Sequence, residues 1–160
     1  MAWIKIGNGK KIPPIPVGVT YTNSVYKAAP VESTINSNKS EIINTKKVKS
    51  LTIQVSLVCE AHASGGIWDH DHFSWESEAS TSSTFTFKVN NVTYVSRNLS
   101  SFSKNDGTRR STYNTIVTVT NLPKGDCVFN YNITMSGWQN SGQLDPHIAS
   151  TLSFTITGMT

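Results

Sequence analysis

In the stretch LTIQVSLVCEA every second residue is apolar. Leu51, Ile53, Val55, Leu57 and Cys59 share one phase, while Thr52, Gln54, Ser56 and Glu60 take the other. Successive side chains of a strand point to opposite sheet faces, so a period of two marks a strand with one buried face. The same pattern returns with Phe85, Phe87 and Val89 in STFTFKV, and with Cys127, Phe129, Tyr131, Ile133 and Met135 in DCVFNYNITM. It returns again with Leu152, Phe154 and Ile156 in TLSFTIT, and Thr115, Val117 and Val119 continue it in NTIVTVTN. The short run Val92-Thr93-Tyr94-Val95 reads as a strand folded back on the Phe85 strand through a turn at Asn90-Asn91.

No window carries an apolar stripe of 3.6-residue period at helical length, so helix is expected to be minor. The breaks hold turn residues: Gly65-Gly66, Asn105-Asp106-Gly107, Pro123-Lys124-Gly125 and the segment from Gly137 to Pro146. Short strands between such breaks, without the spacing of βαβ units, predict an all-β fold. The expectation is a single antiparallel β-sandwich, jelly-roll-like.

The beginning of the chain reads differently. Pro13, Pro14 and Pro16 remove ladder donors and favour extended backbone, and the Ser/Asn/Lys-rich SNKSEIINTKK follows. Residues 1–30 are therefore expected to be an extended N-terminal arm or edge segment that packs on the sandwich or reaches a neighbour. The sandwich domain is expected to cover 31–160.

Composition changes the picture in one respect. Ser, Thr and Asn fill 54 of the 160 positions and the net charge is only +4, which implies an uncharged polar surface over an ordinary core. The pI near 9.1 raises nucleic acid as a partner, but the basic residues are scattered, with Lys46, Lys47 and Lys49 the densest group, and no nucleic-acid site is expected. No apolar run approaches the roughly 20 residues of a bilayer span, and MAWIKIGNGKK lacks the apolar core of a signal peptide. Neither membrane insertion nor export is expected. Cys59 and Cys127, both on apolar phases, read as buried thiols rather than a disulfide framework.

The densest chemistry lies in GGIWDHDHFSWE. His70 and His72 sit two apart, so in extended backbone both imidazoles face one side, as ligands of a transition metal would. A tetrahedral zinc site would need further donors such as His62 or His147; a symmetric trimer would instead bring three such pairs to one axis. The competing reading is a polar loop whose histidines meet water or aspartate. Trp68, Phe73, Trp75 and Trp138 fall in or beside expected loops, where aromatic faces can stack on sugar rings while Asp69 and Asp71 take the hydroxyls. The bland alternative is that they cover the ends of the core. No Gly-x-Ser-x-Gly elbow, Cys-x-x-Cys or phosphate-cradling glycine loop is present, and an enzyme is not expected.

Residues 112–160, with the turn NLPKGD, the strand CVFNYNITMSG and the final strand TLSFTITGM, resemble the closing strands of small virion β-domains of tailed bacteriophages. Such domains occur as head fibres, decoration subunits and receptor-binding heads, some of which hold metal on a trimer axis through His-x-His pairs similar to His70-Asp71-His72. The resemblance implies a non-enzymatic virion structural protein, a homo-oligomer and most readily a trimer. It would dock on other virion proteins through its arm and, as a host-recognition module, on a cell-surface glycan. The alternative is a bacterial carbohydrate-binding, lectin-like module using the loop aromatics.

Overall fold

The computed structural model describes residues 4–6, 10–28, 33–64, 66–68, 73–75, 77–139 and 146–160. All regular structure among them is β. Eight long strands make the body: β3 (Thr20–Ala28), β4 (Ser33–Asn44), β5 (Leu51–Ser64), β8 (Glu78–Val89), β9 (Val92–Lys104), β10 (Asp106–Val119), β11 (Asp126–Gln139) and β12 (His147–Met159). Two short hairpins are added, β1 (Ile4–Ile6) with β2 (Lys10–Ile12), and β6 (Gly66–Trp68) with β7 (Phe73–Trp75).

One sheet runs β10-β5-β12-β3 and the other β4-β11-β8-β9, antiparallel throughout. Counting only the long strands, the first pairs with the last, the second with the seventh, the third with the sixth and the fourth with the fifth. A long antiparallel hairpin rolled on itself produces this nesting. The sandwich is an eight-stranded jelly roll.

Period-two alternation builds the core as the sequence implies. Leu51, Ile53, Val55, Leu57 and Cys59 of β5 are buried, and so are Phe85, Phe87 and Val89 of β8, Cys127 to Met135 on alternate positions of β11, and Leu152, Phe154 and Ile156 of β12. The centre is aromatic. The Phe154 ring lies 5.0 Å from those of Tyr21 and Phe87, 5.2 Å from Tyr131 and 5.6 Å from Phe129. The two thiols are free and buried. Burial pushes both upward in pKa, outweighing at Cys59 the hydrogen bonds from Ser83 and Ser150.

Toward one end the inner faces turn small and hydroxylic. Ala61, Ala63 and Ala79 are buried beside Thr81, Ser83, Ser103 and Ser150, whose hydroxyls bond across the sandwich. Thr81 donates to the Glu60 carbonyl at 2.7 Å, Ser103 to the Ala63 carbonyl at 3.2 Å, and the Ser83 and Ser150 hydroxyls pair at 2.7 Å. These four hydroxyls are thereby satisfied while the sheets approach more closely than bulky side chains would permit.

The open sides are closed by polar side chains. Between β3 and β4 the buried Asn23 amide donates to the carbonyls of Ser37 and Tyr131, at 2.9 and 2.8 Å, and accepts from the Ser37 hydroxyl. Lys39 donates to the Thr22 carbonyl at 3.1 Å. Between β9 and β10 the Arg97 guanidinium sits 4.4 Å from the centre of the Tyr113 ring. Charges carried on the inward phase of edge strands also discourage unplanned sheet extension.

Several sequence expectations change in extent. The stretch 1–30, read as an arm or edge segment, contributes β3, which carries Asn23 and Val25 into the interior as an edge strand. SNKSEIINTKK, read only as polar sequence, forms most of β4. The Val92–Val95 run extends to Lys104, and β11 continues through Gly137 and Trp138, where a break was expected. The Asn90-Asn91 turn is present with both residues at positive φ, 49° and 65°, as the favoured two-residue hairpin turn requires.

Phe154→Ala would leave a cavity that four surrounding rings cannot refill. It is expected to cost about 3–5 kcal/mol in urea unfolding, whereas outward-facing Thr155→Ala should cost within roughly 0.5 kcal/mol.

Candidate functional site

The strand order places the connections β3–β4, β5–β8, β9–β10 and β11–β12 at one end of the sandwich. The links 45–50, 90–91 and 120–125 lie at the opposite end with the Pro13–Pro16 segment and Thr160. Of the sequence-derived site residues, Trp68, Phe73, Trp75 and Trp138 belong to the first end. Trp68 stands opposite Phe73, and Gly66 opposite Trp75, in the β6–β7 hairpin inserted between β5 and β8. Asp69, His70, Asp71 and His72 lie outside the described residues. A backbone exchange anchors the hairpin's return: Asn105 N–H donates to the Ser77 carbonyl at 3.0 Å and Ser77 N–H to Asn105 Oδ1 at 2.7 Å.

Trp138 is placed by its neighbour. A Cβ on Gly137 would collide with the Ser80 carbonyl and Ile148 Cδ1, so only glycine lets β11 lie this close to β8 here. The next residue projects Trp138 outward, 40% exposed, with its ring 6.4 Å from that of Phe102, which is 53% exposed. Ser80 stands between them in register, flanked by the Glu78–Lys104 ion pair at 3.0 Å. Below run rows of hydroxyls and amides: Thr34, Ser136, Ser82 and Ser100, then Asn36, Thr134, Thr84 and Asn98. Phe102 was not singled out from the sequence because it is a lone aromatic in a serine run, and only the β8–β9 register brings it to Trp138.

A second constellation lies on the outer face of the other sheet. His62 of β5 and His147 of β12 are cross-strand partners with rings stacked at 4.6 Å and 12°. His62 Nδ1 shares a 2.7 Å hydrogen bond with the Thr108 hydroxyl. His147 Nε2 donates to Glu60 Oε1 at 3.0 Å, and Arg110 Nε to Glu60 Oε2 at 2.6 Å. Burial raises the Glu60 carboxyl, but the bonds and charges of His147 and Arg110 outweigh it, and the net displacement is downward. Nearby, Arg109 and Ser103 hold Asp106 at about 2, with Lys104 N–H adding a backbone bond at the β9–β10 turn.

These two histidines, expected as extra donors for zinc, are thus committed to Thr108 and Glu60. Among the described residues no group of three or more His, Cys, Asp or Glu side chains is arranged to hold a metal. At the far end, apolar grooves of about 300 and 210 Å³ flank the Pro13-Pro14 ridge, one against Tyr21, Ile42 and Ile43, the other against Val48 and Met159.

No protein-family model matches the chain, and no curated protein does. Among solved structures, it is similar to one of the Gx strain of infectious bursal disease virus, at TM-score 0.40 and 12% identity over 99% of this chain and 38% of that one. A structure of the Gt strain gives TM-score 0.27 and 11% identity, over 99% and 43% of the two chains. The T13 particle of the same virus gives 0.24 and 9%, over 100% and 44%. The chain spans well under half the length of each.

A lowered carboxyl contributes stability that is present above its unfolded pKa and lost as pH falls through the folded value. Glu60→Gln is therefore expected to lower the melting temperature by about 2–4 °C at neutral pH. The deficit should shrink as pH falls below the ordinary glutamate value of about 4.3 and through the lowered folded value, where the wild-type carboxyl also protonates. Melting curves of both proteins across that range are the check.

Proposed function

We propose that this jelly roll is a non-catalytic structural module of a virion, acting through assembly and surface binding. The observation that carries the reading is the finished surface: a sandwich closed on both open sides, presenting faces of Ser, Thr and Asn interrupted by few charges. Viral capsid and lectin domains share this architecture, which is support by analogy of fold and no more. The resemblance of residues 112–160 to phage head-fibre, decoration and receptor-binding domains favours the tailed-phage setting.

Residues 1–12 are the assembly arm in this reading. The chain enters the sandwich along the proline ridge, and the grooves beside that ridge, with Val17, Val19, Ile42 and Met159 exposed, are apolar surface of the kind oligomer contacts cover. Light scattering is expected to return a trimer whose mass falls when residues 1–12 are deleted, with far-ultraviolet circular dichroism unchanged. A monomeric full chain, or a truncated chain that assembles normally, refutes the role. In a trimer three His70-Asp71-His72 segments would meet one axis, and elemental analysis should then find a stoichiometric transition metal that the His70→Ala/His72→Ala variant lacks.

The second reading, recognition of a glycan, is favoured by the exposed Trp138–Phe102 pair over an uncharged hydroxyl and amide surface, with the Trp68, Phe73 and Trp75 hairpin at the same end. On a glycan array the wild-type protein should bind a defined subset of structures, and Trp138→Ala should lose it. Silence of the wild-type protein on every glycan ends this reading and leaves the assembly role standing.

A further inference from the structure

On the outer face of the β10-β5-β12-β3 sheet, the side chains of the middle rows are hydroxyls and amides: Thr20, Thr22 and Ser24 on β3, Thr151, Ser153 and Thr155 on β12, with Gln54 and Ser56 on β5. Cross-strand hydrogen bonds link some of them, Thr20 to Thr155 at 2.7 Å and Ser24 to Thr151 at 3.2 Å. In the rows of this face from Glu60 to Gln54 of β5, Glu60 and Arg110 alone carry formal charge, and they fall in one cross-strand row reading Tyr26, Ala149, Glu60, Arg110. Ala149 is the short member. Its methyl lies low between the Tyr26 ring and the Glu60–Arg110 pair, whose backbones stand two inter-strand spacings, roughly 9–10 Å, apart, and the row forms a shallow depression there.

We propose that this depression is a binding site for a single neutral pyranose carrying a vicinal diol. Tyr26 is 61% exposed and offers a ring face for the apolar side of a sugar. The His147 ring, 5.2 Å from the Tyr26 ring, is the back wall, and the Ser24–Thr151 hydroxyl pair borders the front. Opposite Tyr26, Glu60 uses two of its roughly four lone-pair sites on Arg110 and His147, and Arg110 spends one of its five N–H donors on Glu60. An acceptor and a donor thus remain side by side, the complement of two adjacent hydroxyls. Their charges cancel, which selects a neutral sugar over an acidic one.

The site is held ready before any ligand arrives. Glu60 is fixed from both sides, and His147, which it holds, is stacked on His62, itself tied to Thr108. Three strands, β5, β10 and β12, therefore lock the polar wall, so little side-chain freedom is left to lose on binding. The inference goes beyond the proposed assembly role and is separate from the Trp138–Phe102 surface, which belongs to the other sheet.

Saturation-transfer and two-dimensional NMR of the full chain, with galactose, glucose, mannose, N-acetylglucosamine and N-acetylneuraminic acid, provide the test. At least one neutral sugar should shift the signals of Ala149, Tyr26 and His147. Tyr26→Ala and Ala149→Leu should each weaken its binding roughly tenfold or more, with melting unchanged. Both positions face outward, and Tyr26 lies on an edge strand, so that variant stands if Ala149→Leu proves unstable. Absence of any shift with the neutral sugars, binding confined to N-acetylneuraminic acid, or binding that survives both substitutions overturns the proposal. Binding lost in Trp138→Ala and kept in Tyr26→Ala assigns the sugar to the other surface and equally overturns it.

Discussion

The Phe154 ring, carried by β12 between the two sheets, packs on Tyr21 from its own sheet and on Phe87, Phe129 and Tyr131 from the other. The pairing of four strands is referred to that contact, because a strand that slipped by one residue would turn its aromatic outward and its Thr or Asn inward. Tyr131 extends the constraint to the sandwich edge by donating to Glu41 at 2.8 Å, and burial followed by that carboxylate pushes its phenol up to about 12. The register of β4, which has few apolar residues of its own, is thereby tied to the aromatic centre.

From that fixed centre the two ends diverge in chemistry. Toward the proline ridge the inner residues stay large and leave apolar grooves at the surface. Toward the loop connections they shrink to Ala, Ser and Thr, the hydroxyls bond across the sandwich, and Gly137 lets two backbones approach. At this end the register sets Trp138 and Phe102 on either side of Ser80 on one outer face and the start of β12 beside the end of β5 on the other, where His147 and His62 meet.

The polar surface has a related cause. With so few charges, the outer rows cannot rely on ion pairs, and cross-strand hydroxyl and amide bonds such as Thr134 to Asn36 and Thr84 to Asn98 take their place, each contributing a few tenths to about 1 kcal/mol. Against that background Glu60, Arg110, His62 and His147 are conspicuous. Their mutual satisfaction makes them a rigid wall rather than a reactive centre.

What the sequence determined by itself is the set of central strands, the residues they bury and the hairpin turn at Asn90-Asn91, because a two-residue period and positive-φ asparagines are local properties. The breaks at Asn105-Asp106-Gly107 and Pro123-Lys124-Gly125 were legible from local turn chemistry. The edge strands β4 and β9 were legible only in part. Their inward positions hold Ser, Lys and Arg satisfied by groups on the opposite sheet, and Glu41 satisfied by Tyr131 on the neighbouring strand, and alternation fails wherever a polar residue on the inward phase has a distant partner. The pairing of His62 with His147, of Trp138 with Phe102, and of Tyr26 with Glu60 across Ala149 was decided by tertiary structure alone. These residues lie 85, 36 and 34 positions apart in the chain, and only the rolled-hairpin topology, closed over the Phe154 cluster, sets the register that makes them neighbours.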